Sequence, residues 1–381
     1  IDKTVPFSVT LRGMSLLLAY HENYSFLKMA LLICSKICTL LIIPVLSMIH
    51  LIVVKKEQVD LSITENISII ISVTSMAIIS LIIPFYSKEW KSLLEKISDF
   101  QSMEGFSNRK EIKKTIIFLN EFSIVIIIYC FIGPILYATA TCFEFKECIK
   151  ISEERNLNFF CITMSPVWLP FQKTKSAEIA IFAIQFITTA ITTMSGGLST
   201  YITYEFAICT SLRINCLKTK LFDAINNSLP EEQEKKLAEW IQDHQSIINI
   251  LQEAKRLIKI CHGFGSLSFA LVCASIANQV IQKSKLVGAV LHILGWLGLM
   301  FIHCHGGQTI MCDTESIGET VYDSKWYEAN IPTRKTILMI IMRCQKPSTW
   351  DALPQGIISY PLYLMVIKSS YSFLTYLSNT N

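Results

Sequence analysis

Long apolar runs decide what this chain can fold into. The stretch 63–86, carrying Ile69, Ile70, Ile71, Ile78, Ile79, Ile82 and Ile83, exceeds the roughly 18 residues a helix needs to cross a hydrocarbon core about 30 Å thick. A bilayer offers no water to backbone amides and carbonyls, so such a run has to be helical. Seven runs of this kind are expected, at about 26–54, 63–86, 116–140, 177–208, 260–281, 286–310 and 355–377. Composition agrees: 51% of the 381 residues are hydrophobic and 17% charged, against about a quarter charged in soluble proteins. The expected fold class is an all-α polytopic membrane protein with one seven-helix domain and two water-facing segments, 209–259 and 311–353.

The same residues exclude several functions. A net charge of +4 with no basic cluster among aromatics does not fit a nucleic-acid binder. His303-Cys304-His305 with Cys312, Asp313 and Glu315 has metal-ligand residue types, but the spacing matches no zinc pattern. It reads as a packed helix end, and no metal or cofactor is expected. Glu153-Glu154 and Glu231-Glu232 fall in solvated stretches. With no phosphate loop, serine elbow or Cys/His nucleophile, an enzyme is not expected. Few ionisable groups enter the spans (Lys28, Lys36, Glu121 and Lys368), which argues against ion-coupled transport. Of thirteen cysteines, Cys34, Cys38, Cys130, Cys209 and Cys273 sit in apolar runs as small hydrophobes. Cys142, Cys148 and Cys161 share the polar stretch 141–176, read as a long loop, and their pairing stays open.

Three patterns carry functional information. Cys130, Gly133 and Tyr137 lie at i, i+3, i+7 on the third span; Phe182, Gln185, Phe186 and Thr189 share a face of the fourth; His292 and Trp296 are i, i+4 on the sixth. These faces suit ordinary helix packing or a cavity for a small apolar ligand, and packing is the commoner use because such pockets are few per protein. On the last span Lys368, Ser372, Thr375 and Asn379 form a polar stripe that lipid would penalise, so it serves either a water-filled pore or bundle packing. Between spans four and five, Leu237, Trp240, Ile241, His244, Ile247, Ile248 and Leu251 recur at helical spacing. Ser228-Leu229-Pro230-Glu231 reads as the capping box that starts this docking helix.

Charge leaves the orientation open. With the N-terminus inside, 1–25, 87–115, 209–259 and 310–353 hold more Lys/Arg than the opposite loops, yet these segments are longer and no denser in positive charge. No signal peptide is recognised at the start, so the first span is expected to direct insertion. Beginning at Ile1 rather than Met, the chain is read as lacking a few N-terminal residues.

The C-terminal third is more specific. Glu315-Ser316, Tyr322-Asp323-Ser324-Lys325-Trp326, Arg334-Lys335 and Arg343-Cys344-Gln345-Lys346-Pro347 precede the last span, which carries Lys368-Ser369-Ser370-Tyr371-Ser372. This succession resembles the signature of the insect odorant receptor family: a Tyr…Trp pair, a basic pair, an Arg-x-Gln-x-Pro turn and a Lys-x-x-Tyr-Ser ending. Trp240 with His244-Gln245, and Pro166 to Phe171, fit the family elsewhere, while Trp350-Asp351 departs from its smaller residues. The resemblance implies inverted topology, with the N-terminus cytosolic, in the plasma membrane of olfactory sensory neurons. It also implies an odorant-binding tuning subunit of a tetrameric non-selective cation channel, assembled with common co-receptor subunits. The ligand, a small volatile apolar molecule, would meet Ile69, Val73, Cys130, Gly133, Tyr137, Phe182, Phe186, His292 and Trp296. Lys368, Ser372, Thr375, Tyr376 and Asn379 would line the pore. Trp240, His244, Tyr322, Trp326 and Arg343 would belong to a cytosolic anchor between subunits. A gustatory-type receptor shares this architecture but ends in a different pattern, and a G-protein-coupled receptor lacks its motifs here.

Overall fold

The computed structural model describes residues 2–17, 19–20, 25–56, 63–99, 109–154, 156, 159–165, 167–170, 173–281, 286–352 and 355–380. Within these, the side chains of 63–65, 140–145, 147, 151, 230, 260–262, 264 and 377–380 fall outside the description. Helix dominates. A short α1 (Ser8–Leu16) precedes the first span, built of α2 (Phe26–Leu40), a π-turn around Pro44 and α3 (Leu46–Lys56). There follow α4 (Ile63–Phe85), α5 (Ser87–Ser98), α6 (Arg109–Glu154), α7 (Lys175–Asn226), α8 (Pro230–Ile281), α9 (Leu286–Tyr322), α10 (Ile331–Cys344) and α11 (Tyr360–Thr380). Two small antiparallel hairpins interrupt them: β1 (Phe159–Phe160) with β2 (Val167–Trp168), and β3 (Asp351–Ala352) with β4 (Gly356–Ile357).

Five of these stretches are long and apolar enough to cross a bilayer on their own: Phe26–Lys56, Asn66–Phe85, Arg109–Thr139, Lys175–Asn226 and Leu286–Tyr322. Two of the seven expected runs fall short of that measure. One is the apolar end of α8, Gly265–Ile281. The other is α11, whose apolar character is diluted by Lys368, Ser369, Ser370 and Ser372. Pro44 and Pro134 lie inside their spans, as membrane helices tolerate when neighbours re-satisfy the freed carbonyls.

The helices are longer than the apolar runs. α7 and α8 each have 52 residues, or about 78 Å at 1.5 Å per residue, so each must project well beyond a core of about 30 Å. The amphipathic docking helix and the fifth span, read as separate elements, are one continuous α8. The supposed loop after the third span is helical as far as Glu154, because α6 continues past the apolar run.

The capping box is also corrected. Ser228 donates its hydroxyl to the Asp223 carbonyl at 3.2 Å, closing the end of α7. The first turn of α8 instead closes on the Leu229 carbonyl, bonded by the amides of Glu232 and Gln233, with Pro230 as the first residue of the helix. Outside the membrane layer, α10 and the projecting parts of α7, α8 and α9 share one core. Trp240 is buried there and donates Nε1 to the Leu217 carbonyl at 2.8 Å.

Candidate functional site

Helices α4, α6, α7 and α9 enclose a cavity of about 310 Å³, at the lower end of the range for small-ligand sites. Glycines set the spacing of its walls. A Cβ on Gly197 of α7 would lie 2.7 Å from the Cys130 Sγ of α6. On α9, Cβ atoms at Gly288 and Gly295 would lie 2.9 Å and 2.8 Å from the rings of Tyr137 and Tyr129. Two tyrosines of α6 thus seat on two glycines of the antiparallel α9, and the Tyr129 hydroxyl donates to the Leu291 carbonyl across the join. Gly133 differs: an added Cβ meets nothing within 4 Å.

Seven of the expected ligand residues come together on this wall: Ile69, Val73, Cys130, Gly133, Tyr137, His292 and Trp296. Phe182 and Phe186 do not. They pack behind it against the cluster of Tyr137, Ala138 and Met164, while Gln185, Thr189 and Thr193 of the same helix reach the wall. Sequence reading missed Met76, Tyr129, Met164 and Ser165. The glycines seven apart on the sixth span, opposite tyrosines eight apart on the third, are the signal that would have found Tyr129.

One end of the cavity is closed by the β1–β2 hairpin. Gln185 holds it: its Oε1 accepts from the Met164 amide at 2.9 Å, and its Nε2 donates to the Ser165 carbonyl at 3.2 Å. The Ser165 hydroxyl donates to Asn66 Oδ1 at 3.1 Å and pairs with Ser47 at 2.7 Å. A disulfide between Cys148 and Cys161, 13 residues apart, ties the hairpin to the end of α6; the side chain of Cys142 lies outside the described residues. A cross-link closing a loop of this size restrains the chain by about 3 kcal/mol. Cys161→Ser is therefore expected to loosen Met164 and Ser165 and to weaken any ligand held there several-fold, read as a rightward shift of a dose–response curve. Added reductant should reproduce the shift in the wild type and add nothing to the variant.

Beyond the cavity, α9 grips the start of α11. His305 Nδ1 lies 2.7 Å from the Tyr360 hydroxyl, and the Tyr360 amide donates to Gln308 Oε1 at 3.3 Å. Phe301 stacks on His305 and Tyr360 with centroids 6.0 and 6.3 Å away. A Cβ on Gly307 would collide with the Ile358 carbonyl, so the turn between β4 and α11 rests directly on α9. One rigid helix therefore carries a cavity wall at 288–302 and, a turn later, the clamp on α11.

The stripe on α11 faces away from the subunit. Leu362 and Val366 are buried, whereas Lys368, Ser372 and Tyr376 are exposed and Thr375 half-buried. Ser372 and Thr375 donate to carbonyls of their own helix, those of Lys368 and Ser372. The side chain of Asn379 lies outside the described residues. Of the expected anchor residues, Trp240 is buried and Trp326 packs against the core, while Tyr322 and Arg343 are exposed. Beside them Ile331, Leu338, Met339 and Met342 leave an uncovered apolar face on α10, with Met339 63% and Met342 66% exposed.

His244 stacks on Trp240, with ring centroids 4.8 Å apart. Burial, aided by the nearby Arg343 guanidinium, lowers its imidazole from 6.5 to about 4. The folded state then binds fewer protons than the unfolded chain between these values, so stability rises with pH across that window. The contribution is complete above about 6.5 and is lost as pH falls through about 4. Thermal unfolding of the purified protein should show this loss, and His244→Gln should flatten it.

A bundle of long apolar helices with an apolar chamber among them is suited to holding a small apolar molecule. The 7tm Odorant receptor family model matches residues 61–371, so the chain belongs to the insect odorant receptor family. Odorant receptor 22c of Drosophila melanogaster is 29% identical over 160 residues, 41% of this chain and 39% of that protein. Odorant receptor 67c of the same fly is 23% identical over 316 residues, 76% of this chain and 74% of that protein. The chain thus spans well under half of the first of these relatives and about three quarters of the second. Among solved structures, the olfactory receptor OR5 from Machilis hrabei superposes with a TM-score of 0.79 at 14% identity, covering 97% of both chains. Its complex with eugenol gives 0.77 at 13%, covering 97% of this chain and 98% of that one. At that identity the likeness establishes the fold.

Proposed function

We propose that this chain is the odorant-binding tuning subunit of a heteromeric ligand-gated, non-selective cation channel in the plasma membrane of olfactory sensory neurons, assembled with common co-receptor subunits. The observation that carries the reading is the helix α9, which walls the apolar cavity at one level and clamps α11 at the next. A volatile that buries about 200 Å² gains roughly 5 kcal/mol at about 25 cal/mol/Å² before entropic losses, so the fit is weak and tolerant of related molecules. Gating requires only that the ligand favour the open arrangement over the closed one. Displacement of α9 would reach α11 through His305, Gln308 and Gly307, and the polar stripe from Lys368 to Tyr376 would line the pore.

Two features support the assembly. The exposed apolar face at Met339 and Met342 is the kind of surface that oligomers bury, and it lies on the segment read as the anchor. The Cys148–Cys161 disulfide belongs in an oxidising compartment. That favours the hairpin outside the cell and, counting spans back, a cytosolic N-terminus. Whole-cell currents in cells expressing this chain, with and without the co-receptor, test the reading under a panel of volatiles. Odorant-evoked cation currents that need both chains support it; currents that never depend on the co-receptor would remove the tuning-subunit role.

A further inference from the structure

The polar groups on the cavity wall are nearly all committed. Gln185 and Ser165 hold the hairpin, the Thr193 hydroxyl donates to the Thr189 carbonyl at 2.9 Å, Tyr129 bonds Leu291, and Trp296 Nε1 donates to His292 Nε2 at 3.1 Å. Ser72 on α4 stands apart as a buried hydroxyl left unpaired. It lines the cavity, is only 6% exposed, and its hydroxyl has no hydrogen-bond partner among the described residues.

Serines in helices usually satisfy themselves on a carbonyl three or four residues back. Two others on α4 do so: Ser75 donates to Ile71 at 2.6 Å and Ser80 to Ala77 at 2.8 Å. A covered hydroxyl without a partner, in a wall whose surface is mostly apolar, is a standing cost that a ligand atom can relieve.

We infer that Ser72 is the specificity-determining residue of the cavity, pairing with the one oxygen of an otherwise apolar ligand. A hydroxyl both donates and accepts, so a ketone or an alcohol serves equally, and a hydrocarbon of the same shape leaves the group unpaired. The preferred ligand class is therefore mono-oxygenated volatiles. This rests on the odorant-receptor reading above and refines it.

The test is made on the complete channel, co-expressed with the co-receptor, with surface labelling of each variant. The probes are matched sets: heptane, 2-heptanone and 2-heptanol, and ethylbenzene, acetophenone and 1-phenylethanol. The wild type should respond to the oxygenated members at concentrations about fivefold lower than to the hydrocarbons, the worth of one hydrogen bond. Ser72→Ala should close that gap by weakening the oxygenated members alone. Ser72→Cys, which keeps the bulk but donates weakly, should close most of it. An equal shift for all members, or none for any, would overturn the role of Ser72 while leaving the receptor reading intact. Silence of the wild type to both sets, with a channel at the surface that still conducts, would count against the receptor reading and the inference together.

Discussion

Replacing Gly133 with Leu should raise the half-maximal concentration of any odorant that fills the cavity on the order of 100-fold, or abolish its current. Gly133 lines the chamber, and a Cβ placed there meets nothing within 4 Å, so the added side chain starts from open space in the chamber wall and takes up ligand space. If it excludes half of the contact surface of a ligand held by roughly 5 kcal/mol, the loss is about 2.5 kcal/mol, between one and two powers of ten in affinity. The chain should still fold and reach the surface, because the first carbon of the new side chain meets no neighbour. Gly295 makes the contrasting position. A Cβ there would sit 2.8 Å from the Tyr129 ring, so even Gly295→Ala must shift the Tyr129 seat and should reduce expression as well as response. Dose–response curves normalised to surface labelling separate the two. A Gly133→Leu receptor with unchanged sensitivity to large and small odorants alike would mean that the chamber is not where they bind.

Tyr360→Phe should lower the maximal current about five-fold for every agonist. The substitution removes the hydroxyl paired with His305 at 2.7 Å but keeps the ring that stacks on Phe301 and His305. One such hydrogen bond is worth about 1 kcal/mol, which is near five-fold in an equilibrium. What marks a coupling role is uniformity: the fractional loss should be the same for strong and weak odorants, unlike the ligand-dependent effect at Gly133. His305→Ala should act in the same direction, and the double variant should be little worse than either single one, since both remove the same contact. A shift confined to one odorant would place Tyr360 in recognition rather than transmission.

The sequence reveals some layers of this molecule more plainly than others. Seven spans are visible because a bilayer leaves an apolar run of this length one conformation. The face of α6 with Cys130, Gly133 and Tyr137 is visible for a related reason: small and aromatic residues at helical spacing announce a close neighbour. The rotation of α7 is not. Phe182 and Phe186 are the larger groups, yet Gln185 between them is drawn to the hairpin amides of Met164 and Ser165 and turns Thr189 and Thr193 to the chamber. That choice depends on a hairpin positioned through a disulfide, a long-range constraint with no local signature. The continuity of α8 was hidden because its polar docking half and apolar spanning half read as two elements. Orientation stayed open because positive charge is no denser on one side than on the other. Ser72 gives no sign in the sequence at all, being one serine among several on α4, and only its unmade hydrogen bond sets it apart.

The most direct measurement is the structure of the assembled channel with an agonist identified from the volatile panel. The account predicts ligand density inside the chamber between α4, α6, α7 and α9, in contact with Cys130, Gly133 and His292, and a displaced α9–α11 clamp relative to the ligand-free channel. Ligand density elsewhere, with this chamber empty and the clamp unmoved, would contradict it.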